Sequence, residues 1–171
     1  SLTPNLTYDA NGNLTSQADA GGTTTYTWDA RHRLTAISGP GVSTSFQYDA
    51  LGRRNSKTVN GVTTQYLYEG YDIVAEIGGG AVMASYLRSL NIDELFVRQT
   101  GTGPEFYHTD TLGTVLALTN DAAVVRTTYG YEAFGRTSST GTASTNPFQF
   151  TGSENDSTGL YYYRARYYGP I

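Results

Sequence analysis

Six acidic residues stand at matching places along the 171-residue sequence: Asp9, Asp29, Asp49, Glu69, Asp110 and Glu132. Carboxylates do general acid–base work when two converge in one pocket and their pKa values are driven apart. These six are instead spread along a repeat, each at the first position of a turn. There an acidic side chain accepts a local backbone N–H. His108 lies two residues before Asp110 and shares a strand face with it, but neither a nucleophile nor an orienting third group accompanies the pair. His32 and His108 lie too far apart in sequence for any zinc-ligand spacing, and the acids follow no calcium-loop pattern. The glycines do not follow a phosphate-loop spacing. The sequence therefore assigns no catalytic residue, no cofactor and no metal.

The elements that place these acids form a repeat of about 20 residues. Leu6-Thr7-Tyr8-Asp9 returns as Tyr26-Thr27-Trp28-Asp29, Phe46-Gln47-Tyr48-Asp49 and Tyr66-Leu67-Tyr68-Glu69. The aromatic start recurs at Tyr86, Tyr107, Tyr129 and Phe148, and the acid returns as Asp110 and Glu132. A glycine three residues beyond the acid appears at Gly12, Gly52, Gly113 and Gly135, the fourth position of a type I turn. His32 takes that place in the second unit, and histidine is among the side chains enriched at positive φ. A second turn follows about ten residues later, at Ala20-Gly21-Gly22, Gly39-Pro40-Gly41 and Asn60-Gly61. The last is a strong two-residue hairpin signal.

Two turns per repeat leave roughly six residues for each strand, the usual length. On the strand entering each acidic turn, rings and hydroxyls alternate. Tyr26 and Trp28, Phe46 and Tyr48, and Tyr66 and Tyr68 share a face, with Tyr8 as the first member. Leu14, Leu34, Arg54 and Val74 are equivalent on the return strand. Short turns make neighbouring strands antiparallel, so the sequence predicts an all-β antiparallel meander of hairpin units, curling into a spiral or shell segment. Equivalent rings then sit about 9.5 Å apart with one strand between them. That stripe reads as cross-strand packing or as a stacking platform for sugar rings.

Composition agrees. Only 15% of residues are charged, with 20 Gly and 15 Tyr, and there is no cysteine for a disulfide frame or thiol chemistry. Eleven Lys and Arg against fifteen Asp and Glu give a net charge of −4, which excludes the clustered positive charge of a nucleic-acid footprint. No apolar run approaches the roughly 20 residues of a membrane span. Residues 137–146, rich in Ser, Thr and Gly, read as a flexible loop or an insertion, and residues 89–97 are compatible with a short helix. Gly78-Gly79-Gly80 reads as a boundary between repeats over 1–80 and a region over 81–171 that continues the same sheet.

The units Tyr8-Asp9-Ala10-Asn11-Gly12-Asn13-Leu14 and Tyr48-Asp49-Ala50-Leu51-Gly52-Arg53-Arg54 resemble the YD repeats of Rhs proteins. The second half resembles the Rhs repeat-associated core, through Tyr107-His108-Thr109-Asp110-Thr111-Leu112-Gly113, Tyr131-Glu132-Ala133-Phe134-Gly135-Arg136 and the dense block Tyr161-Tyr162-Tyr163-Arg164-Ala165-Arg166-Tyr167-Tyr168. In that block the sequence reads as one strand, with Arg164 and Arg166 on one face and Tyr161 and Tyr163 on the other, a structural lock at the sheet end. The resemblance implies a secreted or cell-surface bacterial protein in which repeat sheet winds into a shell around a C-terminal toxin or effector. It also implies a self-cleaving aspartyl site in the core. The sequence stops at Tyr168-Gly169-Pro170-Ile171, before the family's Asp-Pro pair would arrive, and position 169, often Asp in the family, is Gly. The expected role is therefore the wall and closure of the shell, without catalysis. The expected partners are flanking repeats of a longer parent chain and the enclosed effector. The alternatives are a homo-oligomer or filament built through open edge strands, and a glycan-binding module using the ring stripe.

Overall fold

The computed structural model describes residues 4–91 and 93–170. Nearly every stretch that alternates rings with hydroxyls is a strand. In order these are β1 Asn5–Tyr8, β2 Leu14–Asp19, β3 Gly22–Trp28, β4 Leu34–Gly39, β5 Val42–Tyr48, β6 Arg54–Val59, β7 Val62–Glu69, β8 Asp72–Gly78, β9 Ala81–Arg88, β10 Leu95–Thr100, β11 Gly103–Thr109, β12 Val115–Thr119, β13 Val125–Tyr131 and β14 Thr137–Gly141. The fourteen are hydrogen-bonded in chain order as one antiparallel meander. A 3-10 turn at Phe150–Gly152 leads to a second, three-stranded sheet of β15 Glu154–Asn155, β16 Tyr161–Tyr163 and β17 Arg166–Tyr168. Among the described residues there is no α-helix.

The chain divides into two compact units, Ser1–Gln65 and Tyr66–Ile171. The division falls inside β7, whereas Gly79-Gly80 forms a tight turn between β8 and β9, within the second unit.

In the first unit every aromatic strand ends on a register shift just before its acid, at Thr7/Tyr8, Thr27/Trp28 and Gln47/Tyr48. A bulge strengthens twist and re-aims one side chain, and here the re-aimed residue is the ring. Leu34, Ile37, Phe46 and Arg54 are buried. Burying each of the aliphatic or aromatic side chains contributes roughly 1.5–3 kcal/mol. The guanidinium of Arg54 lies over the Phe46 ring at 5.2 Å, which reconciles a charged side chain with an apolar position in the repeat. The Asn60-Gly61 turn has φ of 49° and 85° and joins Val59 to its partner Val62, the primed two-residue hairpin geometry.

The second unit keeps the meander and adds a cover. Tyr66, Ile73, Ala84, Tyr86 and Leu95 form one apolar cluster, sealed by Phe148. Val115, Leu118 and Tyr129 form another. Phe148 is therefore not the start of a further repeat strand. It makes an isolated bridge with Glu154 and meets Tyr86 edge-on, ring centres 5.1 Å apart.

Three further expectations are corrected here. Residues 137–141 form β14, paired with β13 from Tyr131↔Thr137 to Thr127↔Gly141. Ser and Thr pair on a sheet as readily as they fill a loop. The described residues of 89–97 form no helix, and Ser89 N–H donates to the Glu94 carbonyl. Asp93 sits at φ 61°, and Leu95 opens β10. Finally, Ile73 rather than Val74 is buried at the place equivalent to Leu34 and Arg54, because the turn before it is shorter than in the other repeats.

Candidate functional site

The repeat acids act as turn locks. Asp9 Oδ1 accepts the backbone N–H groups of Asn11 and Asn13, each at 2.9 Å, and Oδ2 accepts Asn13 Nδ2 at 2.8 Å. Asp29 does the same with Arg31 and Arg33, and Asp49 with Leu51 and Arg53. In both of these the Arg Nε donates to Oδ2, and a second guanidinium nitrogen lies 2.7 Å from it. Asp110 takes the N–H groups of Leu112 and Thr114. The Gly12, Gly52, Gly113 and Gly135 N–H groups donate back to the carbonyl of the turn's first residue, as does that of His32. His32 carries the positive φ, 60°, that its place requires.

The charges follow from these bonds. The Asn13 amide and backbone N–H hold the Asp9 carboxyl below its ordinary range. For Asp29 and Asp49 burial pushes upward, and the N–H and guanidinium bonds of Arg33 and Arg53 outweigh it, leaving both lowered. A carboxylate bonded in this way is a fixed acceptor, with no proton to trade at neutral pH.

Glu69 and Glu132 depart from the pattern. Glu69 is the last residue of β7, and the two-residue turn Gly70-Tyr71 follows it directly. Glu132 keeps the backbone bonds to Gly135 and Arg136. Its carboxylate lies 3.7 Å from Arg136 Nε with both side chains exposed, because the extra methylene carries it past the turn N–H groups. The sequence also hides one lock. Asn120 Oδ1 accepts the N–H groups of Ala122 and Val124, and Ala123 takes the glycine place at φ 58°. An amide acceptor and an alanine disguise the same turn.

The rings preceding the acids have an equally specific task. Trp28 Nε1 donates to the Leu14 carbonyl at 2.7 Å, Tyr48 OH to Leu34 at 2.8 Å, and Tyr131 OH to Val115 at 2.6 Å. The pairing of β2 with β3 ends at Ser16↔Thr25, and that of β4 with β5 at Ala36↔Ser45. The carbonyl two residues further out would lack a ladder partner, and the ring supplies one. Arg88 Nε makes the equivalent bond to Ile73 at 2.9 Å and lies over the Phe148 ring at 4.7 Å. Phe46 and Tyr66 are buried, Tyr26 and Tyr68 partly so, and Tyr8 is the exposed member of the stripe, at 57%. Most of the stripe is thus engaged within the sheet.

The acids that do meet in one place lie beneath residues 144–154 of the second unit. Arg98, 3% exposed, gives Nη1 to Glu105 at 2.8 Å and Nη2 to Thr145 Oγ1 at 2.9 Å, with Glu76 3.9 Å away. Ser144 donates to the other oxygen of Glu105. Tyr86 OH donates to Glu76 at 2.7 Å, Tyr107 OH to Asn146 Oδ1 at 2.7 Å, and Tyr66 OH to Glu154 at 2.5 Å. Burial pushes the Tyr86 and Tyr107 hydroxyls well up, so they remain donors. Burial works against the Arg98 charge, and Tyr86 together with the Glu105 and Glu76 carboxylates outweighs that, so the guanidinium stays protonated. Buried Glu154 and Asp156 were not signalled by the repeat, because they lie beyond it. Among the described residues no group of three His, Asp or Glu gathers to hold a metal ion.

The block at 161–168 is a hairpin, not one strand. Arg164-Ala165 is the turn, with Arg164 at φ 58°, so Tyr161 pairs with Tyr168 and Tyr163 with Arg166. Tyr161 OH bonds Thr137 Oγ1 and the Gly135 carbonyl, Tyr163 OH bonds Thr151, and Tyr168 OH donates to the Phe134 carbonyl. The Tyr162 and Tyr167 rings lie 5.2 Å apart. Arg164 Nη2 reaches Asp72 at 3.1 Å and Asp93 at 2.7 Å. The turn at Arg164-Ala165 is what a strand reading of this block conceals.

An RHS Repeat family model matches residues 8–41, which hold the first two turn locks and the Trp28–Leu14 bond. No curated protein matches the chain. Among solved structures, the crystal structure of TcdB2-TccC3 superposes with a TM-score of 0.71 at 18% identity, over 95% of this chain and 9% of that one. The same complex without its hypervariable C-terminal region gives 0.67 at 17%, over 98% and 10%. A Photorhabdus luminescens Tc holotoxin pore with a TccC3 point mutation gives 0.64 at 17%, over 98% and 11%. The chain thus spans about a tenth of the length of the structures it resembles. The locks explain why a tyrosine and an aspartate recur side by side: one finishes a strand, the other closes a turn, and residues 8–41, which match the RHS Repeat model, hold two such units.

Proposed function

We propose that this chain is a structural segment of an Rhs-type shell, one that encloses a C-terminal toxin or effector carried by a longer parent. The observation that carries the reading is that ring and acid are both consumed in holding backbone. Trp28, Tyr48, Asp29 and Asp49 all spend their polar atoms inside the sheet. Such a surface is suited to making wall rather than to turning over a substrate. The likeness to TcdB2-TccC3 supports it across 95% of the chain. In this reading 1–80 are plain repeats, 81–171 are core-like closure, and the parent is secreted or displayed at the cell surface. The test is limited proteolysis of the full-length gene product. A C-terminal segment that resists protease until the repeats are unfolded supports the shell. A segment digested at the rate of an isolated peptide overturns it.

A second reading is favoured by one observation. The outer edge of β14 is the neutral run Thr137-Ser138-Ser139-Thr140-Gly141, exposed after its first residue. It has none of the lysines, prolines or bulges that usually guard a sheet edge. Pairing of that edge with another copy would make the chain a homo-oligomer, and light scattering on this chain reads it directly. A monomer at all concentrations removes this reading.

A further inference from the structure

The chain holds two Asn-Gly dipeptides, Asn11-Gly12 and Asn60-Gly61, and the fold treats them differently. Asn-Gly is the pair most open to attack on its own side chain, because glycine has no Cβ to hinder the approach of its nitrogen. At Asn60 the carboxamide is held at both atoms. Oδ1 accepts the Ser43 N–H at 2.8 Å, Nδ2 donates to the Gly41 carbonyl at 3.3 Å, and the Asn60 N–H itself donates to the Ser43 carbonyl at 2.8 Å. At Asn11 the side chain is exposed, and its carboxamide has no hydrogen-bond partner among the described residues. There only the backbone is tied: the Asn11 N–H to Asp9 Oδ1 at 2.9 Å, and the Gly12 N–H to the Asp9 carbonyl at 3.1 Å.

We propose that Asn11 is a spontaneous modification site, a deamidation point in the first acidic turn, and that the fold protects Asn60 from the same reaction. The Gly12 nitrogen, giving its proton to water, attacks Cγ of Asn11. The Cγ–Nδ2 bond breaks and ammonia leaves, closing a five-membered succinimide. Water then opens either carbonyl, yielding aspartate or isoaspartate. The net change is one water consumed and one ammonia released, with no oxidant or cofactor. The one bond that must open at Asn11 beforehand joins Gly12 to Asp9, in an exposed turn at the edge hairpin of β1 and β2. At Asn60 two side-chain bonds must break together, in a hairpin whose neighbours are paired on both flanks.

The product differs from its parent in two ways that the turn would register. It places a second negative charge beside the Asp9 carboxylate, and the isoaspartate form adds a methylene to the main chain between the two N–H groups that Asp9 holds.

The test is to incubate the full chain at pH 8 and 37 °C and follow the mass gain at each asparagine by peptide mapping. The same is done in denaturant, which gives the rate each local sequence sets without the fold. The expected result is that the native-to-denatured rate ratio for Asn11 exceeds that for Asn60 by roughly three- to tenfold, since one more hydrogen bond must open at Asn60 than at Asn11. Equal ratios, a larger ratio at Asn60, or an Asn11 that stays intact while Asn60 converts would each overturn the proposal. Asn60→Asp, which cannot give Nδ2 to Gly41, should leave the Asn11 rate unchanged. If it raises that rate, protection belongs to the whole unit rather than to the Asn60 bonds.

Discussion

The two units use the same meander and hold it by opposite means. Ser1–Gln65 carries five Lys and Arg against four acids, and its locks are local. Asp29 and Asp49 bind residues two and four places on, and Trp28 and Tyr48 bind a carbonyl fourteen places back. Tyr66–Ile171 carries six Arg against eleven acids, and its bonds reach far along the chain: Arg98 to Thr145, Tyr107 to Asn146, Tyr66 to Glu154, Arg164 to Asp72. A unit held by local bonds tolerates the loss of any one of them. A unit held by a covered polar network fails when one partner is removed, because the others stay buried. The lone tryptophan, Trp28, lies in the first unit and twelve of the fifteen tyrosines lie in the second. Tryptophan fluorescence and tyrosine near-ultraviolet dichroism therefore read the two separately.

The largest expected effect follows from that contrast. Arg98→Leu strands the Glu105 carboxylate beneath residues 144 and 145, and should destabilise the second unit by about 3–5 kcal/mol. Denaturant unfolding followed by tyrosine dichroism measures it. An equal shift in Trp28 fluorescence would break the comparison, since it would mean that the units do not unfold separately. Next comes a matched pair of glycines. Gly12 and Gly135 have nearly the same φ, 82° and 84°, but a Cβ at Gly12 meets nothing within 4 Å while one at Gly135 lies 2.5 Å from the Phe150 ring. Gly12→Ala should cost about 1–2 kcal/mol of backbone strain. Gly135→Ala should cost a further 1–3 kcal/mol or so for the displaced ring. Comparable losses at the two positions would remove the role given to residues 144–154 as a packed cover.

A smaller effect is expected at a single ring. Tyr48→Phe keeps the packing under Arg33, which lies 4.7 Å over the ring, and removes the bond to the Leu34 carbonyl. About 1 kcal/mol should be lost, visible as a lower denaturant midpoint by Trp28 fluorescence. The smallest effect is the acid limb. Asp9, Asp29 and Asp49 have carboxyls held below their ordinary values in the folded chain. Their contribution to stability is therefore complete above the unfolded value, near pH 4, and is lost as pH falls through the lower folded values. The double variant Asp29→Asn, Asp49→Asn should flatten the fall in the tryptophan-detected midpoint between pH 4 and pH 2. A slope unchanged from the parent would mean that the turn carboxylates are not what acid attacks in the first unit.

Much of the fold was written in the spacing. Asp9, Asp29, Asp49 and Asp110 announce their turns because a short carboxylate followed by a glycine or histidine three places on is a turn pattern, and Asn60-Gly61 announces a primed hairpin. The readings that fail share a cause: a different residue does the same physical task. Asn120 replaces the aspartate, Ala123 the glycine and Arg88 the ring, so a search by residue type passes over them. Glu69 has the right type but ends a strand before a shorter turn. Arg164 at positive φ turns an apparent strand into a hairpin, and Ser and Thr in β14 carry no preference strong enough to separate strand from loop. The network under residues 144–154 is invisible for another reason. The bonds that tie it to residues 144–154 join partners 39 to 88 positions apart, and no local pattern encodes a pair at that distance.

Because Trp28 and Tyr48 finish strands that began in the preceding repeat, no repeat here is complete by itself. Within Ser1–Gln65, a duplication or deletion of a whole period restores every donor to a waiting carbonyl. One of half a period exchanges the strand that supplies the ring for the strand that needs it, and leaves polar atoms stranded at both joints. A gene built of such units can therefore change its length by recombination between its own repeats, in steps of one hairpin pair, while the protein it encodes keeps folding at every intermediate length.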